Sequence, residues 1–443
     1  MITSASFIIT ECCNLACTYC FENEWRKCGR TMRAMTRKTI SHGLEWLFEN
    51  AKEAGTDHVD IMLFGGEPLL RPDLCGHLLQ TGYELQTENN IQFRPNLITN
   101  GTLWNWDIEH LLYKYKLLLP GYSAQLSIDG VGPVHDMNRV YPDGHGSYAD
   151  IEENIGRYLK IFKGSLCVHG VVSRETMPHL FESYKAFADM GVPNIWFMPL
   201  HTEVWTEADV ALYDAQMQLI YDDMISRNTV SIYAPINKCL SGDRKLGPKT
   251  CGAGNSFITI TPDGDLWPCH NVYFNDPEGK QKCGNIWDRE LDEAVLKPYR
   301  EYDIKTMGCG DCENSMCYRC IADNLVHNGD LNAQVGKPMR CLLSGVERKY
   351  QKMAKEYADS HFVPQNLTEA RVRQKLVEDV GEIKAALSLL MQKFFLEDLP
   401  ELGMPNFNPE GPCTCNAYEN KEVADVYNDR DESVPGAAAD QGP

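Results

Sequence analysis

The sequence contains no long apolar run and few basic residues relative to its acidic ones. No apolar stretch reaches the roughly eighteen residues of a membrane span, and no basic segment followed by an apolar run marks a secretory signal at the N-terminus. Only 42 Lys and Arg stand against 62 Asp and Glu, which gives a formal net charge of -20. Nucleic-acid binding depends on clustered cations, so nucleic acid is not expected as a partner. A membrane is not expected either, because no apolar run is long enough to span one. A basic peptide partner remains open.

Cysteine, by contrast, is abundant, with 18 cysteines in 443 residues. Disulfide-rich secreted proteins are usually short, and no signal is predicted here. We therefore expect a cytoplasmic protein in which metal ions hold the thiolates. The chain is long enough for two or three domains, and its 43% hydrophobic residues can fill a sizeable core.

Residues 1–200 alternate between short apolar runs and stretches with helical periodicity. The runs lie at residues 6–9, 59–64, 91–98, 124–128, 166–172 and 195–198. This alternation predicts an α/β fold with a parallel sheet, open or curled into a partial (β/α)6 barrel of the TIM type. Catalytic groups are then expected on the loops at the carboxyl ends of the strands.

The rest of the chain divides by composition. Residues 201–235 predict a connecting helix. Residues 236–345 are dense in Cys, Gly and Pro, which predicts a small domain held by metal rather than by a hydrophobic core. Helices are expected over residues 346–400. Residues 401–443 form an acidic tail that we expect to be disordered.

The first group of cysteines lies in ECCNLACTYC, residues 11–20, directly after the first predicted strand. Cys13, Cys17 and Cys20 have C-x3-C-x2-C spacing, which supplies one ligand fewer than a 4Fe-4S cluster needs. One iron would remain open to a substrate or cofactor, as in a catalytic zinc site. A zinc site or a chance cluster is the alternative interpretation. Cys12 does not fit the spacing, and we expect it to be dispensable.

The motif GGEP follows the second predicted strand. Gly65 and Gly66 let the backbone approach a ligand, and Glu67 places a carboxylate where it suits an α-ammonium group. Alone, the motif indicates only a turn. Together, CNLACTYC and GGEP resemble the radical S-adenosylmethionine (radical SAM) superfamily, in which the open iron binds the amino and carboxylate groups of S-adenosylmethionine. The resemblance implies S-adenosylmethionine and one 4Fe-4S cluster as cofactors.

Two further motifs match that family in order. TNGT and SIDG follow the third and fourth predicted strands, and an arginine comes shortly after SIDG. The resemblance implies that polar groups of this region bind the ribose and the methionyl carboxylate, and the candidates are Asn100, Ser127, Asp129 and Arg139. An Asp-Gly turn and a surface ion pair are the alternative interpretations for the last two.

A second cysteine group begins with Cys251 and Cys269, continues with C-x2-C-x4-C-x2-C at residues 309–320 and ends with Cys341. The order resembles the SPASM domain, which holds two auxiliary iron-sulfur clusters in peptide-modifying radical SAM enzymes. The resemblance thus implies three 4Fe-4S clusters. Its distal auxiliary cluster would use Cys309, Cys312, Cys317 and Cys341, and its proximal one Cys251, Cys269 and Cys320.

This second group also departs from the family pattern. Its last two spacings are each one residue shorter than the usual C-x2-C-x5-C-x3-C. The fourth proximal ligand is undecided between Cys239, Cys283 and an open iron, and an open iron could hold a substrate thiolate. A pair of structural zinc sites is the alternative for the whole group.

The stretch LWPCHNVY places His270 directly after Cys269, where relatives that mature sulfatases carry an aspartate as a proton acceptor. With Cys283 and the Gly-Asn pair that follows it, the pattern is closer to maturases that form cysteine thioethers in ribosomally made peptides. His270 is then a base, a hydrogen-bond donor to cluster sulfur, or a surface histidine.

The resemblance implies an oxidoreductase that makes a 5'-deoxyadenosyl radical, removes hydrogen from a peptide and forms a cross-link, most simply a cysteine thioether. Carbon–carbon cross-linking, dehydrogenation and sulfatase-type oxidation of Cys or Ser are the alternatives, and a non-catalytic electron carrier is a remote one. Expected partners are a cysteine-containing ribosomal peptide and an electron donor such as flavodoxin or ferredoxin. The cysteine loop begins close to Met1, so a leader peptide would be recognised by another protein, by the C-terminal helices, or not at all.

Overall fold

The computed structural model describes residues 1–23, 26, 31–237, 251–302, 320–331 and 339–361, with the side chain of residue 327 left out. Several predictions lie outside these residues and stay predictions. They concern the helical region expected after residue 361, the acidic tail and the candidate ligands Cys239, Cys309, Cys312 and Cys317.

The first six strands follow the predicted runs. They are β1 Ser4–Thr10, β2 His58–Gly65, β3 Gln92–Thr99, β4 Ser123–Ser127, β5 Leu166–Val172 and β6 Asn194–Pro199. Each lies within two residues of a predicted run. The later strands are β7 Phe257–Ile260, β8 Asp265–Trp267 and β9 Gly284–Asn285.

All these strands join one sheet in the part of the chain that the structure describes, with the order β6-β5-β4-β3-β2-β1-β7-β8-β9. Every pairing from β1 to β6 is parallel. The predicted α/β class with a parallel sheet is therefore confirmed. Because the strands run the same way, the loops after β1 to β6 emerge at one edge of the sheet.

Helices alternate with the strands. Their bounds are α1 Arg37–Ala54, α2 Pro72–Asn89, α3 Trp106–Leu118, α4 Pro133–Asp136, α5 Tyr148–Phe162, α6 Leu180–Asp189, α7 Glu207–Ser226, α8 Ala234–Asn237, α9 His270–Asn275, α10 Glu293–Arg300, α11 Ile321–Asn328 and α12 Met339–His361. Short 3-10 turns lie at Pro68–Leu70, Lys163–Ser165 and Met177–His179. None of the helices in the described part of the chain combines the length and the apolar character that a bilayer crossing demands.

Local signals explain where these helices begin and end. The hydroxyl of Thr36 accepts from the backbone N–H of Thr39 at the start of α1, and Gly55 ends that helix with a left-handed φ of 66°. Thr206 and Asp209 form a capping box at the start of α7. The helix α7 lies where the connecting helix was predicted.

The region after residue 250 is built onto the same sheet. The strand β7 pairs in parallel with β1, in the register of Ser4 with Phe257. The hydroxyls of Ser6 and Thr259 share a buried hydrogen bond of 2.7 Å across this pair. The carboxyl end of β1, which leads into the first cysteine loop, therefore lies beside the β7–β8 hairpin.

The described part of residues 236–345 has a hydrophobic core, which its composition did not predict, and metal binding in this region stays a prediction. A second hydrophobic cluster fills this region, made of Ile8, Ala253, Trp267, Cys269, Val272, Tyr273, Phe274, Tyr299, Tyr302, Ile321, Ala322 and Leu331. Its elements are only two to eight residues long, which is too short to show a periodic apolar pattern in the sequence. Phe21 and Phe64 of the first region pack against this cluster and join the two parts.

Candidate functional site

The three cysteines of the first motif line a single cavity of about 100 Å³ at the carboxyl edge of the sheet. The loop that carries Cys13, Cys17 and Cys20 is held by hydrogen bonds to Asn138, which follows α4. The N–H of Thr18 donates to the carbonyl of Asn138 at 2.8 Å, and their side chains share a second bond of 2.8 Å. The fold thus brings together the three cysteines that the C-x3-C-x2-C spacing predicted to share one site.

The chemistry of this trio fits an iron-sulfur cluster. Burial raises the pKa of the Cys13 and Cys20 thiols to about 12 and that of Cys17 to about 11. A buried thiolate is costly unless a cation compensates its charge, and metal binding supplies that cation. Three thiols facing one cavity therefore suit a cluster that keeps one iron directed at a ligand in that cavity.

Two glycines form the part of the cavity wall that packs directly against the cysteine loop. A Cβ on Gly65 would lie 2.1 Å from the carbonyl oxygen of Thr10, and a Cβ on Gly66 would lie 2.1 Å from that of Cys12. The N–H groups of Gly66 and Glu67 donate to these same two carbonyls at 2.8 Å. Gly65 also has a φ of 137°, which side chains rarely allow. Any side chain here would push the GGEP turn away from the cysteine loop.

Glu67 is buried beneath this turn, and both its carboxylate oxygens accept hydrogen bonds from the protein. The Thr99 hydroxyl donates to Oε1 at 2.8 Å, and the Asn100 N–H donates to Oε2 at 2.7 Å. The N–H of Leu69 also donates to Oε1. Burial raises the pKa of Glu67 to about 7. The carboxylate thus ties the end of β2 to the end of β3, and the cavity wall is formed by the glycines before it.

The predicted polar residues Asn100, Ser127 and Arg139 line the same cavity as the three cysteines. The amide nitrogen of Asn100 lies 3.9 Å from Sγ of Cys13. Arg139 lies over the ring of Tyr19, with 5.6 Å from its guanidinium carbon to the ring centre. Arg139 is a buried cation at the cavity rather than a surface ion pair.

Asp129 holds this arginine in place. Its Oδ1 accepts from Nε of Arg139 at 2.9 Å and from the N–H of Val171 at 2.9 Å. Its Oδ2 accepts from the hydroxyl of Tyr19 at 2.5 Å. One carboxylate therefore links the cysteine loop, the cavity arginine and β5, and Asp129 itself is outside the set of residues that line the cavity.

Sequence reasoning missed Glu22 and Arg26, which also line the cavity. Their side chains form a 2.7 Å ion pair, and Nη1 of Arg26 donates to the carbonyl of Leu15. Burial raises the pKa of Glu22 to about 7 despite the arginine beside it. A Glu and an Arg four residues apart usually form a solvated pair on a helix, so the sequence offers no signal that Glu22 is buried.

A second group of thiols comes together beyond β7. Burial raises the pKa of Cys269 to about 12, and the negative charges of Cys251 and Asp323 add to the rise because they lie close by. The pKa of the Cys320 thiol is also raised, first by burial and then by the nearby charges of Asp323, Cys269 and Cys251. Cys251 and Cys269 thus both lie within electrostatic range of Cys320.

Cys283 lies apart from this trio. Its thiol is fully buried in the main hydrophobic core and donates to the carbonyl of Leu266 at 3.2 Å. Cys341 is half-buried near the start of α12, and its three predicted partners lie outside the described residues. Of the candidates for the fourth proximal ligand, Cys283 is thus disfavoured by its position.

His270 lies between the two cysteine groups and is not a surface histidine. Its ring contacts Phe64 at a centroid distance of 4.4 Å, Phe21 at 6.0 Å and Phe257 at 6.2 Å. Burial lowers its pKa to about 4, so the ring is neutral at pH 7. Its Nδ1 is buried and has no hydrogen-bond partner among the described residues.

Residues 7–187 match the family model of the Radical SAM superfamily. The chain therefore contains a radical SAM domain, and the resemblance drawn from CNLACTYC and GGEP is confirmed. A cysteine-type anaerobic sulfatase-maturating enzyme of Clostridium novyi is 25% identical over 322 residues, which cover 67% of this chain and 82% of that protein. The radical SAM cyclopropyl synthase TigE of Paramaledivibacter caminithermalis is 25% identical over 335 residues, which cover 70% of this chain and 66% of TigE.

Solved structures show the same fold. The enzyme anSMEcpe with bound AdoMet, which is S-adenosylmethionine, superposes with a TM-score of 0.60 at 20% identity, covering 80% of this chain and 97% of that one. SuiB of Streptococcus suis, bound to its precursor peptide SuiA, superposes with a TM-score of 0.52 at 17% identity, covering 75% and 74%. At these identities the likeness concerns the fold alone.

Proposed function

We propose that this chain, through its radical SAM domain, modifies a peptide and forms a cysteine thioether in it. The observation that carries the proposal is the convergence on one cavity of the Cys13–Cys17–Cys20 trio, the Gly65–Gly66 turn and Arg139. Three thiols, a close backbone wall and a buried cation are the groups needed to hold a cluster beside a zwitterionic ligand.

When bound, the cluster and S-adenosylmethionine would supply the electron and the radical that remove hydrogen from an unactivated carbon. The protein's own residues would bind and orient. Cys13, Cys17 and Cys20 would hold the cluster. Arg139 would pair with a carboxylate, and Asp129 would keep the guanidinium aimed at the cavity. The polar side chains of Asn100 and Ser127 would bind the remaining hydroxyl and amine groups.

A peptide substrate is supported by two relatives of the same fold. One is anSMEcpe, solved with AdoMet and the Cp18Cys peptide at a TM-score of 0.56, and the other is SuiB with its precursor peptide. The proposed entry path lies between the cavity and the region after residue 250, because β7 places that region beside the cysteine loop. We expect a small-protein electron donor such as flavodoxin or ferredoxin.

The SPASM assignment is part of this proposal. It is supported by the neighbouring positions of Cys251, Cys269 and Cys320, which suit an auxiliary iron-sulfur cluster. An auxiliary cluster can accept the electron left on a substrate radical, since cluster potentials vary widely with burial and charge. A second auxiliary cluster on Cys341 and its partners is proposed by resemblance.

His270 is our proposed hydrogen-bond acceptor near the substrate. Its ring lies against Phe64, which itself lines the cavity, and against Phe21 of the cysteine loop. A neutral imidazole with a lone pair accepts a hydrogen bond from a thiol brought beside it. The surrounding aromatic rings exclude water from that contact.

The test of this function uses the anaerobically reconstituted full chain with a reductant and S-adenosylmethionine. The substrate is a cysteine-containing peptide encoded beside the gene. A thioether lowers the peptide mass by two hydrogens and removes one thiol from alkylation. Loss of two hydrogens with every thiol still alkylated would favour carbon–carbon coupling or dehydrogenation. Loss of the cysteine sulfur would indicate sulfatase-type oxidation, and absence of 5'-deoxyadenosine would leave an electron carrier.

A further inference from the structure

A histidine and an aspartate from distant parts of the chain meet at the second thiol group. His201 follows β6, which ends at Pro199, and Asp323 lies in the first turn of α11. Nδ1 of His201 lies 2.6 Å from Oδ2 of Asp323, across 122 residues of sequence. A ring nitrogen of His201, a carboxylate oxygen of Asp323 and Sγ of Cys320 all lie within 4.8 Å of one another.

Asp323 is firmly held and buried in this arrangement. The side-chain amide of Asn271 donates to its Oδ1 at 2.9 Å, so both carboxylate oxygens have protein partners. The backbone N–H of Asp323 lies 3.4 Å from Sγ of Cys320, which caps α11. A carboxylate fixed in this way sets the orientation of the imidazole beside it, the arrangement found around histidines that ligate metals.

The described residues offer no fourth thiol at this place. Cys283 donates into the main core, while the amide of Asn271 reaches within 3.9 Å of Sγ of Cys320. His201 comes from the carboxyl edge of the sheet, the same edge that carries the first cysteine loop. The donors that the structure brings together here are the Cys320 thiol, the His201 imidazole and the Asp323 carboxylate, and Cys251 and Cys269 lie close enough to raise the pKa of Cys320. Cys239 and Cys317 lie outside the described residues.

We propose that His201 is the fourth protein ligand of the auxiliary cluster on Cys251, Cys269 and Cys320, with Asp323 as its positioning residue. The inference rests on the proposed function, which places an auxiliary cluster at these cysteines. Imidazole ligands occur on iron-sulfur clusters, where a neutral ligand in place of a thiolate raises the reduction potential. A substrate thiolate would reach this iron only by displacing the imidazole.

The experiment is pulsed electron paramagnetic resonance on the full chain with all three cysteines of the first motif replaced by Ala, so that only auxiliary clusters contribute. Protein labelled with 15N-histidine is reconstituted and reduced. We expect a 15N hyperfine coupling of the size that direct coordination gives. It should disappear in His201→Ala and in His201→Cys, and remain in His145→Ala, whose ring is exposed.

The His201→Cys variant distinguishes loss of the nitrogen ligand from loss of the whole cluster. It should keep the wild-type iron and sulfide content, lose the nitrogen coupling and have a more negative reduction potential, because a thiolate replaces a neutral ligand. Asp323→Asn should keep the coupling but broaden it, since the imidazole is no longer held in one orientation.

Two outcomes distinguish failure of the His201 ligand assignment from failure of the proposed function on which it rests. An auxiliary cluster that forms without any 15N coupling, or whose coupling survives both His201 substitutions, would overturn the ligand assignment alone. A reconstituted protein without auxiliary iron would overturn both the assignment and the SPASM part of the proposed function.

Discussion

Tyr19 and Asp129 are joined by a 2.5 Å hydrogen bond between the phenol hydroxyl and Oδ2, across 110 residues of sequence. The bond connects the cysteine loop to the end of β4. The other oxygen of Asp129 holds Arg139, so this carboxylate connects the two sides of the cavity.

Replacing Asp129 by Asn should therefore destabilise the protein. The Asp129 side chain is fully buried and that of Arg139 is 11% exposed, so the substitution leaves a buried cation without its counter-ion. Breaking such a pair costs about 3 to 5 kcal/mol. Urea unfolding followed by circular dichroism measures the loss. Asp143→Asn is the control, since that carboxylate is 70% exposed, and equal effects of the two substitutions would contradict the account.

Gly66→Ala should disrupt the turn beside the cysteine loop. The new Cβ would lie 2.1 Å from the carbonyl oxygen of Cys12, and neither backbone can move without breaking the bond from Glu67. We expect a loss of about 1 to 3 kcal/mol in the free energy of unfolding and a weaker affinity for S-adenosylmethionine.

The matched control for that substitution is Gly156→Ala, in the middle of α5. A Cβ at Gly156 meets no atom within 4 Å, so the change should be neutral or stabilise by about 0.5 to 1 kcal/mol. Similar results for both substitutions would show that the Gly66 contact is unimportant.

Glu67 should make stability depend on pH. Its pKa is raised by burial to about 7 in the folded protein, above its ordinary value of 4.5. The unfolded chain therefore loses this proton at lower pH than the folded one, and the stability that the group contributes declines as pH rises from about 4.5 to 7.

The comparison of wild type with Glu67→Gln isolates this effect, because the amide does not titrate. The stability of wild type relative to the variant should decrease between pH 5.5 and pH 8, by about 1.4 kcal/mol for each unit of pKa difference covered. An increase over that range would mean that the three hydrogen bonds to the carboxylate outweigh its burial.

Arg26 should raise the reduction potential of the cluster at the first motif. Its guanidinium lines the cavity with the three thiols, and burial leaves its Nε without a hydrogen-bond partner among the described residues. Reduction adds a negative charge, which this cation stabilises. Arg26→Gln should make the potential more negative by about 60 mV, one tenfold change in a one-electron equilibrium. A redox titration measures the potential. Arg94→Gln is the control, because Arg94 is outside the set of residues that line the cavity. An unchanged potential in Arg26→Gln would contradict the prediction.

The strands and the first site were predictable because their signals are local. Apolar runs gave the six parallel strands, and the C-x3-C-x2-C spacing identified Cys13, Cys17 and Cys20. Asn100, Ser127 and Arg139 followed from motifs at strand ends, since parallel strands present their carboxyl ends at one edge.

The contacts between distant residues were not predictable. His201 meets Asp323 only because β6 and α11 come together in the fold, and no spacing in the sequence announces a pair separated by 122 residues. Glu22 and Arg26 look like an ordinary helical ion pair. The small core after residue 250 was missed because its elements are too short for a periodic pattern.

Cys12 tests whether the C-x3-C-x2-C spacing correctly identifies the cluster ligands among the four cysteines of residues 11–20. Its carbonyl accepts from the N–H of Glu67, but its side chain is outside the set that lines the cavity. Cys12→Ala should therefore keep the first cluster, as iron content and the electron paramagnetic resonance signal report. A protein that fails to assemble this cluster would show that the register is shifted by one residue.

The central claim is that Cys13, Cys17 and Cys20 support reductive cleavage of S-adenosylmethionine. The most direct measurement is 5'-deoxyadenosine formation, quantified by chromatography, with a strong reductant and the reconstituted full chain. The account predicts product with wild type and with Cys12→Ala, and none with all three cysteines replaced by Ala, while auxiliary iron is retained. Product formation by the triple variant, or no product with fully reconstituted wild type, would contradict it.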